Sequence, residues 1–380
     1  MTARDRARRI VVQPARLAVR GLVKVRTSGW PDHSRLFALG DRGSWSVEED
    51  AEHLAATAQR LGFEIGPPRW APLAERQSVF HASHFEALAE RWLSSSHRLG
   101  TAYLHGRPGT PGFPEFDDAF ATLRRHAHRI DRVQVTHGEM YELVVSAGIH
   151  SERVFRIPIG IDIEHFPLGD AETKAQAREA LELPSSAFVV GSFQKDGVGW
   201  KEGLEPKLVK GPDVLVAVLE RLREQTSDLF VLLTGPARGY VRHELELHGI
   251  PHRYVFARSR SELARAYHAL DVYLVASRQE GGPKGVLESM ATGTPLVTTR
   301  VGQAQELVED GRNGLLAAVE DVEALAELTV RVAEDAGVRE RLRSEGRATA
   351  EMYAHERLDA AWATLFDGFV ERLGPAVDGR

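Results

Sequence analysis

Two carboxylates eight positions apart, Glu280 and Glu288, frame the stretch Glu280-Gly-Gly-Pro-Lys-Gly-Val-Leu-Glu288. A carboxylate accepts hydrogen bonds from vicinal hydroxyls, so two of them flanking an anion cradle suit a sugar at one end and a ribose at the other. The cradle is the glycine-rich turn running from Gly281 through Gly282, Pro283, Lys284 and Gly285 to Val286. Where a helix begins in such a turn, its free backbone N–H groups and its dipole hold a diphosphate. Gly281, Gly282 and Gly285 let the backbone come close to a ligand. The plainer alternative is a capped surface helix with two solvated glutamates. It needs the glycines, the spacing and the neighbouring strand pattern to coincide without function.

The flanking residues supply the frame. Asp271-Val-Tyr-Leu-Val-Ala276 has the length and β-branched content of a buried parallel strand. From Lys284 the pattern turns helical, with Val286, Leu287, Met290 and Ala291 at three- and four-residue spacing until Gly293 stops it. Thr294-Pro-Leu-Val-Thr298 reads as a second buried strand. The loop therefore sits at the carboxyl end of a strand, where open parallel sheets bind ligands.

Composition bounds the rest. The 380 residues are 43% hydrophobic and 27% charged, which fits two domains with full cores. A net charge of −6 does not point to nucleic acid as a partner. With no cysteine, disulfides, thiolate zinc sites and cysteine nucleophiles are excluded. No apolar run approaches a membrane span or a signal-peptide core, and the expected location is cytoplasmic. One asymmetry qualifies this: residues 1–34 hold eight Lys/Arg against two acids, interleaved with aliphatics. That segment could dock peripherally on an anionic membrane face, or equally be an extension or a strand of the domain.

Short apolar strands alternate with helical patterns along the whole chain, as in parallel sheets covered on both faces. Strands are expected at 34–40, 63–65, 77–81, 99–104, 132–136 and 153–158, with helices at 47–61, 85–93, 116–127 and 141–147. The second half repeats the scheme, with strands at 187–193, 229–234 and 254–257, a helix at 213–225, and a helix to Ala269 capped at Ser261. Three helices, 322–334, 338–351 and 355–373, finish the chain.

Glu280 and Glu288 match the E-x7-E signature of the retaining nucleotide-sugar glycosyltransferases of family four. Residues 289–316, SMATGTPLVTTRVGQAQELVEDGRNGLL, resemble that family's continuation. The resemblance is densest from 188 to 316 and thinner back to residue 36. Ile159-Gly-Ile-Asp-Ile-Glu-His-Phe166 is similar to the family's interdomain link N-G-V-D-x-x-x-F at Gly160, Asp162 and Phe166, with Ile159 in place of the asparagine. The resemblance implies an α/β chain of GT-B fold: two Rossmann-like, doubly wound parallel-sheet domains facing a cleft. It divides the chain into a basic extension (1–34), an acceptor domain (35–165, with helix 355–380 crossing back onto it) and a donor-nucleotide domain (166–354).

The same resemblance assigns roles. Glu288 takes the ribose and Glu280 the sugar hydroxyls. Lys210, which precedes Gly211 and opens helix 213–225, offsets the diphosphate charge. Lys195, in a long loop from 194 to 210, stands where the family has an arginine, or is simply solvated. His105, at the carboxyl end of strand 99–104, points at the donor sugar, or is an ordinary loop histidine in a chain with 16. Arg258 lies near the nucleotide base. Gly43 and Ser44 are the candidates in the loop after the first strand, where the family's paired glycines are missing. The implied activity is retaining sugar transfer from a nucleoside-diphosphate sugar to a glycan or lipid-linked acceptor in polysaccharide or glycolipid biosynthesis. It proceeds by front-face attack, without metal or cofactor. The alternatives are a catalytically silent sugar-nucleotide-binding partner protein and a sugar-nucleotide epimerase or phosphorylase on the same fold.

Overall fold

The computed structural model describes residues 23, 25, 27–41 and 45–373. Gly43, Ser44 and most of the basic segment 1–34 lie outside the described residues. The chain divides into two compact units, Met1–Ile157 with Asp359–Arg380, and Pro158–Leu358. The division thus falls eight residues before the 165/166 boundary expected from the link.

In the first unit, β1 (Leu36–Leu39), β2 (Ser78–His81), β3 (Arg98–Ala102), β4 (Ile130–Val135) and β5 (Val154–Arg156) form one parallel sheet in sequence order. Alternate residues of each strand enter different cores. Phe37 and Val79 pack with Leu99 and Val133 on one face, while Leu36, Ala38 and Phe80 pack with Leu365, Phe366 and Phe369 on the other.

Several expectations are corrected here. Residues 63–65 are not a strand, because only Ile65 bridges to Leu36. The helix expected at 85–93 is two short ones, His84–Ala87 and Glu90–Leu93, separated where Ala89 is extended at ψ 138°. The terminal segment is a 3-10 turn, His355–Leu358, and a helix, Asp359–Phe366, rather than one helix to Leu373. Gly368, at φ +64°, turns the chain there and still delivers Phe369 to the core.

In the second unit the strands are β6 (Phe188–Ser192), β7 (Leu229–Leu233), β8 (His252–Tyr254), β9 (Val272–Val275), β10 (Leu296–Thr299) and β11 (Leu315–Ala317). Their order is β11-β10-β9-β6-β7-β8, all parallel, which is double winding with the reversal between β6 and β9. The strand expected at 254–257 lies two residues earlier, and helix Arg260–His268 is capped by Ser259, whose side chain accepts from the Glu262 N–H, not by Ser261. Helix Gly239–Leu247 was not anticipated; its buried apolar residues are only Val241 and Leu245.

The two ends of this unit meet. Ile161 bridges Ala354, donating its N–H to the Tyr353 carbonyl (3.0 Å) and accepting from the His355 N–H (3.1 Å). Among the described residues, no helix is long and apolar enough to cross a membrane.

Candidate functional site

The reversal of strand order between β6 and β9 opens a crevice at their carboxyl ends, the place where an open α/β sheet receives a ligand. The chain after β6 contributes Gln194 and the chain after β9 contributes Ser277 and Glu280. Glu280 is the centre of this group and is only 7% exposed. Its Oε2 accepts from Lys210 Nζ at 2.5 Å, and its Oε1 accepts from Ser277 Oγ at 2.9 Å and Gln194 Nε2 at 3.2 Å. A buried carboxylate needs such partners, and a cation with two neutral donors supplies them. Lys210 is aimed by the backbone after it. Gly211 stands in the left-handed region at φ 61° as it starts helix Pro212–Gln225, and a Cβ there would run into Ala276 O.

Helix Lys284–Thr292 begins at Pro283 with no side-chain cap and no acid in its first turn, so its N-terminal dipole is unopposed by a local carboxylate. One turn further, Glu288 is half-buried and its Oε2 accepts from Tyr267 Oη at 2.8 Å. Tyr267 and Tyr273 are both buried and pack with Phe193, with ring centroids 4.7–5.4 Å apart.

The glycines of the cradle serve the protein's own packing. A Cβ on Gly285 would lie 2.8 Å from two ring carbons of Tyr273 and closer still to its hydroxyl; one on Gly282 would lie 2.7 Å from the Gln303 amide. At these two glycines the direction a side chain would take is therefore filled by the chain's own Gln303 and Tyr273. Gln303 is the brace. Its N–H bonds Gly281 O (2.9 Å), and its side chain binds both the N–H (2.8 Å) and the carbonyl (3.2 Å) of Ile159.

The long loop is a small hairpin. Gly197 bridges Pro206, Val198 N–H bonds Glu205 O, and Lys207 N–H bonds Asp196 O. Glu202 O and Gly203 O accept from the first N–H groups of helix Gly239–Leu247, and buried Asp196 pairs with buried Arg238 at 2.9 Å. Lys195 Nζ rests 3.4 Å from the centroid of the Trp200 ring. Burial and then the charge of Lys210 pull its ammonium below the usual lysine range, so the two cations share one neighbourhood. Arg258 is exposed, and its N–H is taken by Glu262 at 2.6 Å.

In the first unit, His105 lies three residues past the end of β3, half-buried, with its ring edge-on to Phe116 at 5.8 Å and to His84 at 6.1 Å. His84 is stacked on Tyr103 at 4.0 Å, and burial followed by the His105 charge keeps it neutral. Arg107 pairs with Glu139.

Gln194, Tyr267 and Gln303 escaped sequence reasoning because their partners lie 86, 21 and 144 positions away in the chain, and Ser277, only three residues before Glu280, carried no local pattern to mark it. A polar residue two positions past the end of a strand of the doubly wound sheet was the available signal, and it applies to Gln194 and Ser277.

Residues 203–335 match the protein family described as Glycosyl transferases group 1. D-inositol 3-phosphate glycosyltransferase of Corynebacterium urealyticum is 34% identical over 203 residues, 50% of this chain and 46% of that protein. Its counterpart in Xylanimonas cellulosilytica is 30% identical over 248 residues, 62% of this chain and 56% of that one. The chain spans about half the length of these curated relatives. Anabaena HepE, crystallised with UDP and glucose, superposes with a TM-score of 0.70 at 17% identity, covering 88% of this chain and 100% of HepE. The fold is GT-B. The matched stretch contains Lys210, Glu280 and Glu288, whereas His105 and Lys195 lie outside it.

Proposed function

We propose that this GT-B chain is a nucleotide-sugar glycosyltransferase whose donor lies at the β6/β9 crevice. The observation that carries the reading is the convergence there of Glu280, bonded by Lys210, with a helix N-terminus that has no acid in its first turn and Glu288 one turn along it. The diphosphate sits against residues 281–286 and Lys210, with Lys195 adding charge; Glu288 takes ribose hydroxyls and Glu280 sugar hydroxyls. Lys210 stabilises the leaving diphosphate as charge develops on it. The bond from the anomeric carbon to phosphate oxygen breaks, the bond to the acceptor oxygen forms on the same face, and the acceptor's proton passes to the departing phosphate. Configuration is retained, and the protein's cations take the place of a metal. The acceptor is a hydroxyl compound. A sugar or polyol phosphate is the first to try, given the names of the relatives, ahead of a glycan or lipid-linked acceptor. The net +6 of residues 1–34 adds contact with an anionic membrane surface.

The test is thermal stabilisation by UDP-, GDP-, ADP- and dTDP-sugars, followed by nucleotide release with added acceptors and EDTA. At a hundred times its dissociation constant the true donor adds about 2.7 kcal/mol. Glu288→Ala abolishes that gain. Stabilisation without turnover for any acceptor would instead identify a silent binder.

A further inference from the structure

We infer that Tyr267 is a positioning residue for nucleotide recognition: its hydroxyl fixes the Glu288 carboxylate in the orientation that accepts from a ribose. This deepens the reading of Glu288 as the ribose group and rests on it. The observations are independent of any ligand. Tyr267 comes from helix Arg260–His268, 21 positions before Glu288, and is fully buried, so its hydroxyl has a fixed direction. It donates to Glu288 Oε2 at 2.8 Å. Phe193 and Tyr273 hold its ring at centroid distances of 4.7 and 5.0 Å, both edge-on, and Phe166 lies edge-on at 6.3 Å. Its backbone is pinned as well, since Thr294 Oγ1 donates to Tyr267 O at 2.9 Å.

The chemistry follows. Burial and the adjoining carboxylate keep the Tyr267 proton in place, so the hydroxyl is a permanent donor. A glutamate on a helix surface has several rotamers, and an acceptor that must be aimed at vicinal hydroxyls loses affinity for each one it visits. A donor on a buried ring removes that freedom, and because each carboxylate oxygen has two lone pairs, one bond from the tyrosine does not exhaust the group as an acceptor.

The experiment compares wild type, Tyr267→Phe and Glu288→Ala by calorimetric titration with UDP, GDP and ADP and their 2′-deoxy forms, alongside a melting curve. The expected result is wild-type preference for the ribonucleotide and a preference reduced about threefold to tenfold in Tyr267→Phe, the range for freeing one side chain. Affinity for the 2′-deoxy form stays close to wild type, and Glu288→Ala removes the preference altogether. A merely structural tyrosine would lower the melting temperature, weaken ribo- and deoxynucleotides equally and leave their ratio intact; that outcome overturns the inference while the donor site stands. Failure of wild type to bind any of the nucleotides overturns the donor-site reading, and the inference with it.

Discussion

Gly285→Ala sets two effects of opposite sign against each other. Gly285 is the second residue of helix Lys284–Thr292, and alanine in a helix is favoured over glycine by up to about 1 kcal/mol. The added methyl, however, would lie 2.8 Å from Cε1 and Cζ of Tyr273, and nearer to its hydroxyl. Tyr273 is 1% exposed and cannot swing into solvent. Overfilling a packed interior costs about 1–3 kcal/mol, so the clash wins and the net loss is about 1–2 kcal/mol. For a unit of this size that lowers Tm by about 2–8 °C. Differential scanning calorimetry without ligand is the assay, because ligand clearance plays no part in it. Combining the change with Tyr273→Phe removes the nearest atom but not the two ring carbons, so the double variant recovers part of the loss, with a coupling of about 0.5 kcal/mol or more. A Gly285→Ala protein that melts at or above wild type and has merely lost nucleotide affinity would refute the packing argument, and would return Gly285 to the role of clearing space for a ligand.

Two further outcomes follow from buried charges. Asp196→Ala leaves the fully buried Arg238 guanidinium uncompensated, and urea unfolding is expected to show a loss of about 3–5 kcal/mol, partly restored by adding Arg238→Met; equal stability of single variant and wild type would show the pair to be inert. Burial also holds His81 neutral, with its pKa pushed down to about 3 from an ordinary 6.5. The unfolded chain then takes up a proton below pH 6.5 that the folded chain refuses, so stability drops as pH falls through that window, by about 1.4 kcal/mol per unit from this residue. Urea titrations between pH 7 and 5 are expected to give a shallower slope for His81→Phe, and an unchanged slope would sink the assignment.

What could be read from the sequence was what depends on neighbours in the chain. The order of strand, glycine turn, helix and strand across 271–299 was legible because its periods switch within a few residues, and helix Val322–Glu334 begins and ends where its apolar spacing does. The terminal helix was read too long because the apolar spacing continues through Phe369 while Gly368 breaks the geometry that the spacing implied. Helix Gly239–Leu247 left too faint a stripe to notice, since the loop carbonyls of Glu202 and Gly203, not an apolar face, fasten its start. At the site, Glu280 and Glu288 were visible, but the partners that orient them were not. Gln194 stands 86 positions from Glu280 and Tyr267 belongs to a different helix from Glu288. The cradle glycines show the limit most directly, for nothing local separates a glycine that admits a ligand from one pressed against a tyrosine ring.

The meeting of Ile161 with residues 353–355 reaches beyond stability. A stretch of polypeptide whose entrance and exit are stitched side by side behaves as a cassette. Excised at Pro158 and Leu358 it leaves no dangling arm, and a short peptide across those ends would close it into a ring or allow new termini to be opened elsewhere. If the donor site lies where we propose, the same seam lets a counterpart with a different nucleotide preference be spliced in at two adjacent points, in the laboratory or over evolutionary time, while strand β5 before it and helix Asp359–Phe366 after it stay as they are.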